Sequence, residues 1–297
     1  MNAAVRSMGF IGAGKVGSSL ALNLSEAGYH VVVVADRDNA AAARLAEAMD
    51  GCNPVQCAQD AAERADFVFI TTPDDKIGPV CDTVQWKQGQ LVVHCSGAAS
   101  IDVLASAAGH GALTGSFHPC QAFASAAEAL KNIPGSTFAI EADGPLAGIL
   151  ENIAIDLGCE YIRLGPGDKA LYHAAAVLVS NYVVTLLKIS TDFFYEMGIE
   201  RASAVKILMP LMKGNLFNIE RLGIPNCLTG PIARGDTGTI DKHVQSILER
   251  SPKNLELYAE LGLMTLPMAV EKGGLSEKAE TTLKRLFRDA LQRRTGP

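Results

Sequence analysis

The sequence predicts an α/β fold, a parallel sheet in the N-terminal half, followed by an all-helical C-terminal half. Three observations carry this. Short apolar, β-branched runs alternate with Ala-rich helical stretches from Ser7 to about Leu164. Strand signals stop after the turn Gly165-Pro166-Gly167, and only helical stretches follow. Between the first strand and the first helix lies Gly12-x-Gly14-x-x-Gly17.

Strands are expected at 7–11, 30–35, 66–71, 90–95, 112–117, 136–141 and 159–163, with helices at 17–27, 39–49, 75–84, 100–108, 123–131 and 144–157. Continuous apolar strands separated by helices imply a sheet covered on both faces. Further helices fit 168–197, 200–218, 238–250, 252–272 and 276–292. The boundary is set at the Gly-Pro-Gly turn, giving domains 1–165 and 166–297, the second entered by one long helix. Its apolar stretch Leu171–Leu187 contains His173, Ser180, Asn181 and Tyr182, and reads as a buried helix with a polar stripe, not a membrane span.

The chain has 297 residues, 48% of them hydrophobic and 20% charged, as expected of a soluble globular protein. Net charge is −6 and no basic stripe runs through it, which argues against nucleic acid. The C-terminal cluster Lys284, Arg285, Arg288, Arg293 and Arg294 reads as a solvated helix face. Seven cysteines, with no CxxC pair or metal-finger spacing, read as reduced and mostly buried thiols of a cytoplasmic protein, with no metal site.

The glycine loop gives a Rossmann-type dinucleotide site. Gly12 permits the tight strand-to-helix turn and Gly14 lets a pyrophosphate approach the backbone. Gly17 lets the helix pack on the strand, and Ala13, Lys15 and Val16 complete the loop. Asp36, ending the second strand, suits ribose hydroxyls and tilts the reading toward NAD. Arg37 beside it suits the 2′-phosphate of NADP, so both cofactors stay open.

Ligands of such sheets bind at the carboxyl ends of strands. Thr71, Thr72 and Pro73 are therefore cofactor candidates, while Asp74 suits a helix cap equally well. Ser96 and Gly97 lie where nicotinamide is expected, and His94 reads as a core histidine. His118, just past a strand, is a candidate acid or substrate ligand. On the long helix Lys169, His173 and Ser180 share a face, with Asn181 about 80° round from His173. His173 is the first candidate proton donor; Lys169 is either a second or a solvated end residue. Arg234, framed by Gly230-Pro231 and Gly235, suits a substrate carboxylate. Asp236 either orients it or caps the next helix.

These motifs resemble a bacterial family of oxidoreductases with a Rossmann-like N-terminal domain and a C-terminal helical domain of unknown function. The family-type stretches are Phe10–Gly17, Cys95–Ala98, Gly115–Pro119, Lys169–Ala176, Ser180-Asn181-Tyr182 and Thr229–Asp236. More distantly the layout is similar to pyrroline-5-carboxylate reductases, β-hydroxyacid dehydrogenases and ketopantoate reductases. The segment Gly235–Ile240 is similar to the Pro-Gly-Gly-Thr-Thr loop of the first, without its paired glycines. The dehydrogenases use a lysine on the equivalent helix, where His173 matches the position better than Lys169. Asp36 departs from the small neutral residue often found before the arginine.

The resemblance implies an NAD(P)H-dependent reductase of a small carboxylate-bearing carbonyl or imine, such as ketopantoate or a cyclic imino acid. It also implies a homodimer formed through the helical domain, while the polar stripe within Leu171–Leu187 argues against a membrane partner. The alternatives are a dinucleotide-binding sensor without catalysis, and reduction of a second carrier such as a deazaflavin.

Overall fold

The computed structural model describes residues 7–123 and 131–293. It groups into two compact units, one up to Ser180 and one from Asn181 onward.

The first unit is built on an eight-stranded sheet: β1 (Met8–Ile11), β2 (Val31–Ala35), β3 (Asn53–Val55), β4 (Phe67–Ile70), β5 (Leu91–His94), β6 (Leu113–Pro119), β7 (Thr137–Ala142) and β8 (Glu160–Arg163). The spatial order is β3-β2-β1-β4-β5-β6-β7-β8. Its helices are α1 (Lys15–Glu26), α2 (Asn39–Glu47), α3 (Ala58–Arg64), α4 (Asp74–Asp82), α5 (Ala105–Gly109), α6 (Gly144–Asp156) and α7 (Lys169–Val179). Order reverses between β1 and β4, which opens a crevice at their carboxyl ends.

One face of the sheet buries Leu20 and Leu24 of α1, Leu45 of α2 and Leu150 of α6 on an aromatic row. In that row Phe10 stacks on Phe69 at 5.0 Å and Phe117 on Phe138 at 3.9 Å. The opposite face packs Ile11, Val68, Ile70 and Val92 under Ala61 of α3, Ile77 and Cys81 of α4, and Leu104.

The sheet is not wholly parallel, because β6 and β7 pair antiparallel. The chain leaves β6 and enters β7 at the same end of the sheet, so no crossover is needed. The expected helix 123–131 lies almost entirely outside the described residues. Strand β3 and helix α3 were not expected: a three-residue strand containing Pro54 and a seven-residue helix are too short for a periodic signal.

The second unit contains α8 (Asn181–Glu196), α9 (Arg201–Leu222), α10 (Gly230–Ala233), α11 (Thr237–Arg250), α12 (Leu255–Glu271) and α13 (Glu277–Gln292). Its core gathers Ile240, Val244, Leu255, Leu266, Leu283 and Phe287. Gly262 lets α12 approach Phe287, since a Cβ there would lie 2.4 Å from the ring. Lys284, Arg285 and Arg288 are exposed on α13, as expected, and Arg294 lies outside the described residues.

The single long helix is corrected to two, α7 and α8. The break is at Ser180, whose hydroxyl donates back to the Ala176 carbonyl at 2.6 Å. Nor is this stretch buried: Leu171, Leu178, Val179, Tyr182 and Val184 are exposed. The run Lys169–Glu196 is long and apolar enough to cross a membrane by length and composition alone. The thiols are also less buried than expected, because only Cys81, Cys95 and Cys159 are enclosed while Cys57 and Cys120 are exposed.

Candidate active site

The crevice at the β1/β4 switch is framed by the glycine loop, and each glycine has a different reason to be there. Gly12 sits at φ +116°, and a Cβ on it would lie 2.7 Å from the Thr71 carbonyl carbon. A Cβ on Gly17 would lie 2.2 Å from the Gly12 carbonyl oxygen and 2.5 Å from Thr71 Oγ1. Thr71 locks this junction, its hydroxyl donating to the Gly12 carbonyl at 2.7 Å. Gly14, by contrast, faces open space.

Gly14 is also the N-cap of α1, and no side chain caps that terminus or adds a carboxylate to its first turn. The amides of Lys15, Val16 and Gly17 are thus left for an anion, as a pyrophosphate requires. Among the described residues, Thr72 Oγ1 is a buried hydroxyl without a partner, and Thr72 lines the same crevice. An orphaned hydroxyl and an uncapped helix end fit a dinucleotide. The cavity here is about 450 Å³, walled by Asp36, Arg37, Gln56, Pro73, Lys76 and Thr83 among others.

Asp36 is not free in the way the sequence suggested. Its Oδ2 accepts from the Ala13 amide at 2.6 Å and its Oδ1 from the Asp38 amide at 2.8 Å. The carboxylate braces the glycine loop. Arg37 stays exposed on the wall of the cavity.

Further along the same carboxyl edge the chemistry changes. In register, Ile11 pairs with Ile70, Ile70 with His94, His94 with Ser116 and Ser116 with Glu141. One row across the sheet therefore turns from apolar to polar at β5. Helix α7 closes over the polar part. Lys169 is 3% exposed, its ammonium donating to Ser116 Oγ and lying 3.6 Å from Glu141 Oε2. This corrects the solvated-end reading of Lys169. Burial pushes its pKa down, opposed by Glu141.

His94 is a core histidine, as expected. Its Nδ1 accepts from the Ser96 amide at 3.1 Å, and burial, followed by the Lys169 charge, lowers its pKa to about 3. Burial raises the Cys95 thiol to about 12. The Ser96 hydroxyl, a cofactor-ligand candidate, instead accepts from the Ala98 and Ala99 amides at 3.1 and 2.9 Å and shapes the turn.

That turn presents Gly97 to two imidazoles. A Cβ on Gly97 would lie 2.7 Å from His118 Nε2 and 2.8 Å from His173 Cδ2, so any larger residue would displace the rings. The two rings stand 6.5 Å apart, edge to face. His118 Nδ1 is 2.8 Å from Tyr172 Oη. Burial, then Lys169 and His173, lowers the His118 pKa to about 4, so the ring is neutral at pH 7.

The structure thus gathers Lys169, His118 and His173 beside Ser96 and Gly97. Ser180 ends α7, while Asn181, Arg234 and Asp236 belong to the second unit. Asp236 caps α11, accepting from the Thr239 amide at 3.0 Å and from its hydroxyl at 2.7 Å. Arg234 is exposed. The sequence reading missed Tyr172, Ser116 and Glu141. A lone acid near the end of the apolar strand Thr137–Ala142 was the one visible signal.

Residues 7–97 match a family model described as NADP oxidoreductase coenzyme F420-dependent, and residues 136–265 match a domain of unknown function (DUF2520). The chain joins an NADP oxidoreductase domain to a DUF2520 domain. By this match it is an NAD(P)-dependent oxidoreductase, and the loop and the uncapped helix end fit the dinucleotide.

No functionally curated protein matches the sequence. Among solved structures, a candidate NADP oxidoreductase of Bacteroides fragilis is similar with a TM-score of 0.67 and 21% identity, over 88% of this chain and 98% of that one. A reductive aminase of Aspergillus terreus, in complex with NADPH and ethyl-5-oxohexanoate, gives 0.58 and 16%, over 97% and 94%. A pyrroline-5-carboxylate reductase of Coxiella burnetii gives 0.54 and 15%, over 96% and 97%. At these identities the likeness is one of fold.

Proposed function

We propose that this chain is an NADPH-dependent reductase of a small carboxylate-bearing carbonyl or imine compound. The observation that carries the reading is the adjacency, on one sheet edge, of an uncapped glycine-framed helix end and a polar row closed by two imidazoles at Gly97. The second feature supports a reductase over a sensor without chemistry. NADPH, when bound, supplies a hydride to the substrate carbon.

The residues divide the remaining work. Gly12, Gly14 and Gly17 with the α1 amides hold the pyrophosphate. Arg37 favours NADPH over NADH, because both Asp36 oxygens are engaged by backbone amides and the guanidinium stands exposed on the cavity wall. His118 and His173 are the groups placed to act at the carbonyl or imine. The relatives named reductive aminase and pyrroline-5-carboxylate reductase support carbonyl and imine compounds as the first to try.

A homodimer through the second unit accompanies this reading. Helix α9 is 22 residues long yet buries only Ala204, leaving Ile207, Leu211, Leu216 and Phe217 exposed. A second copy covers this face more readily than a bilayer covers Lys169–Glu196, since Lys169 is tied into the sheet by Ser116 and Glu141. Unpaired cysteines fit a cytoplasmic setting.

The test is a screen of 2-oxo acids, ketopantoate first, and cyclic imines with both NADPH and NADH. Consumption of NADPH with at least one class is expected, and loss of His173 should slow it. Tight cofactor binding without turnover of any compound would favour the sensor.

A further inference from the structure

Three groups stand near the nicotinamide-side turn, and their atoms are not equivalent. Lys169 is enclosed, with its ammonium committed to Ser116 and Glu141. His173 turns a ring carbon, Cδ2, toward Gly97. His118 turns a nitrogen, Nε2, toward the same point, while its other nitrogen is held by Tyr172 at 2.8 Å with the rings at 82°.

A neutral imidazole carries one N–H, and its partner decides which nitrogen bears it. Burial, together with the neighbouring Cys120, raises the Tyr172 phenol and keeps its proton in place. A phenol O–H prefers an imidazole nitrogen to a thiol sulfur as acceptor, so Tyr172 donates to Nδ1 and Nε2 keeps its hydrogen.

We propose that His118, fixed by Tyr172, is the hydrogen-bond donor for a substrate carbonyl oxygen through Nε2–H. Tyr172 is then a positioning residue that acts through His118. The proposal rests on the reductase reading and narrows it. A ketone oxygen has lone pairs for Nε2–H, whereas a protonated imine has none, so the substrate class becomes the 2-oxo acid. No proton leaves His118: it strengthens its hydrogen bond as negative charge builds on the oxygen, as neutral donors in an oxyanion site do. The alkoxide takes its proton from solvent.

Other groups around His118 are consistent with a neutral ring. Lys169 and His173 on α7 disfavour its protonation, Asp74 at the start of α4 favours it, and His94 on β5 is itself neutral.

The tautomer can be read without turnover, by ¹⁵N NMR of ring-labelled full-length protein between pH 5 and 8. Wild type should show His118 as the neutral Nε2–H form throughout, and Tyr172→Phe should show mixed tautomers. An Nδ1–H form, or a spectrum unmoved by Tyr172→Phe, would overturn the proposal whether or not a substrate has been found.

Kinetics with ketopantoate, or whichever 2-oxo acid turns over, supply the second arm. His118→Ala should cut kcat by about 10² or more with the NADPH KM unchanged. Tyr172→Phe should cut kcat several-fold in wild type and have no effect in His118→Asn, whose amide donates without a partner. Cyclic imines reduced in preference to 2-oxo acids, with Tyr172→Phe neutral, would contradict it. Failure of the reductase reading would appear separately, as no turnover of any compound.

Discussion

The two halves of the sheet's carboxyl edge solve opposite problems. Around β1 and β4 the site is defined by what is missing: no Cβ at Gly12, Gly14 and Gly17, no cap on α1, no partner for Thr72 Oγ1. Around β5, β6 and β7 it is defined by what is enclosed: His94, Ser116, Glu141 and Lys169. The first half receives a ligand's charge, whereas the second carries charge of its own and must neutralise it internally. Mutations in the two halves should therefore fail differently.

The largest effect is expected in the charged half. Lys169→Met leaves Glu141 buried without its counter-ion and should cost about 3–5 kcal/mol, read by chemical denaturation. The double variant Lys169→Met with Glu141→Gln should recover most of that loss. A double-variant loss equal to the sum of the two single losses would mean that the pair is not coupled.

Next come the glycines, which separate folding from binding. Gly17→Ala drives a Cβ into the Gly12 carbonyl and should cost on the order of 1–3 kcal/mol along with NADPH affinity. Gly14→Ala meets nothing in the protein, so it should lower Tm less than Gly17→Ala, by the loss of a glycine N-cap alone, while weakening NADPH. If Gly14→Ala bound NADPH as wild type does, the open approach at that position would not be the phosphate path.

A pH dependence is also expected from the charged half, small near neutrality and growing as the solution is acidified. His94 and His118 are held to about 3 and about 4, below the roughly 6.5 of an unfolded chain. As pH falls below about 6.5 the unfolded state takes up these protons first, so stability declines until the pH passes the folded values. Tm should drop through this window, and His118→Gln should make the drop shallower.

The same contrast explains what the sequence disclosed. The glycine loop is local: strand, turn and helix sit within two dozen residues, so spacing alone was enough. Asp36 was visible but its partner was not, because whether a carboxylate faces a ribose or the Ala13 amide depends on a loop conformation that spacing leaves open. In the charged half, Ser116 meets Lys169 across 53 residues and His118 meets Tyr172 across 54. Those meetings depend on the antiparallel register of β6 and β7 and on the docking of α7. Tyr172 carries no signal of its own within an apolar helical stretch, and Lys169 reads as either a proton donor or a solvated end. The break at Ser180 was hidden for a related reason, since apolar periodicity runs straight through it.

The central claim, an NADPH site built from the glycine loop and Arg37, is tested most directly by equilibrium titration of the purified protein with NADPH and NADH. The account predicts saturable NADPH binding at one site per chain, about tenfold or more tighter than NADH, with that preference lost in Arg37→Ser. Binding of NADH at least as tight as NADPH, or a preference unchanged in Arg37→Ser, would contradict it.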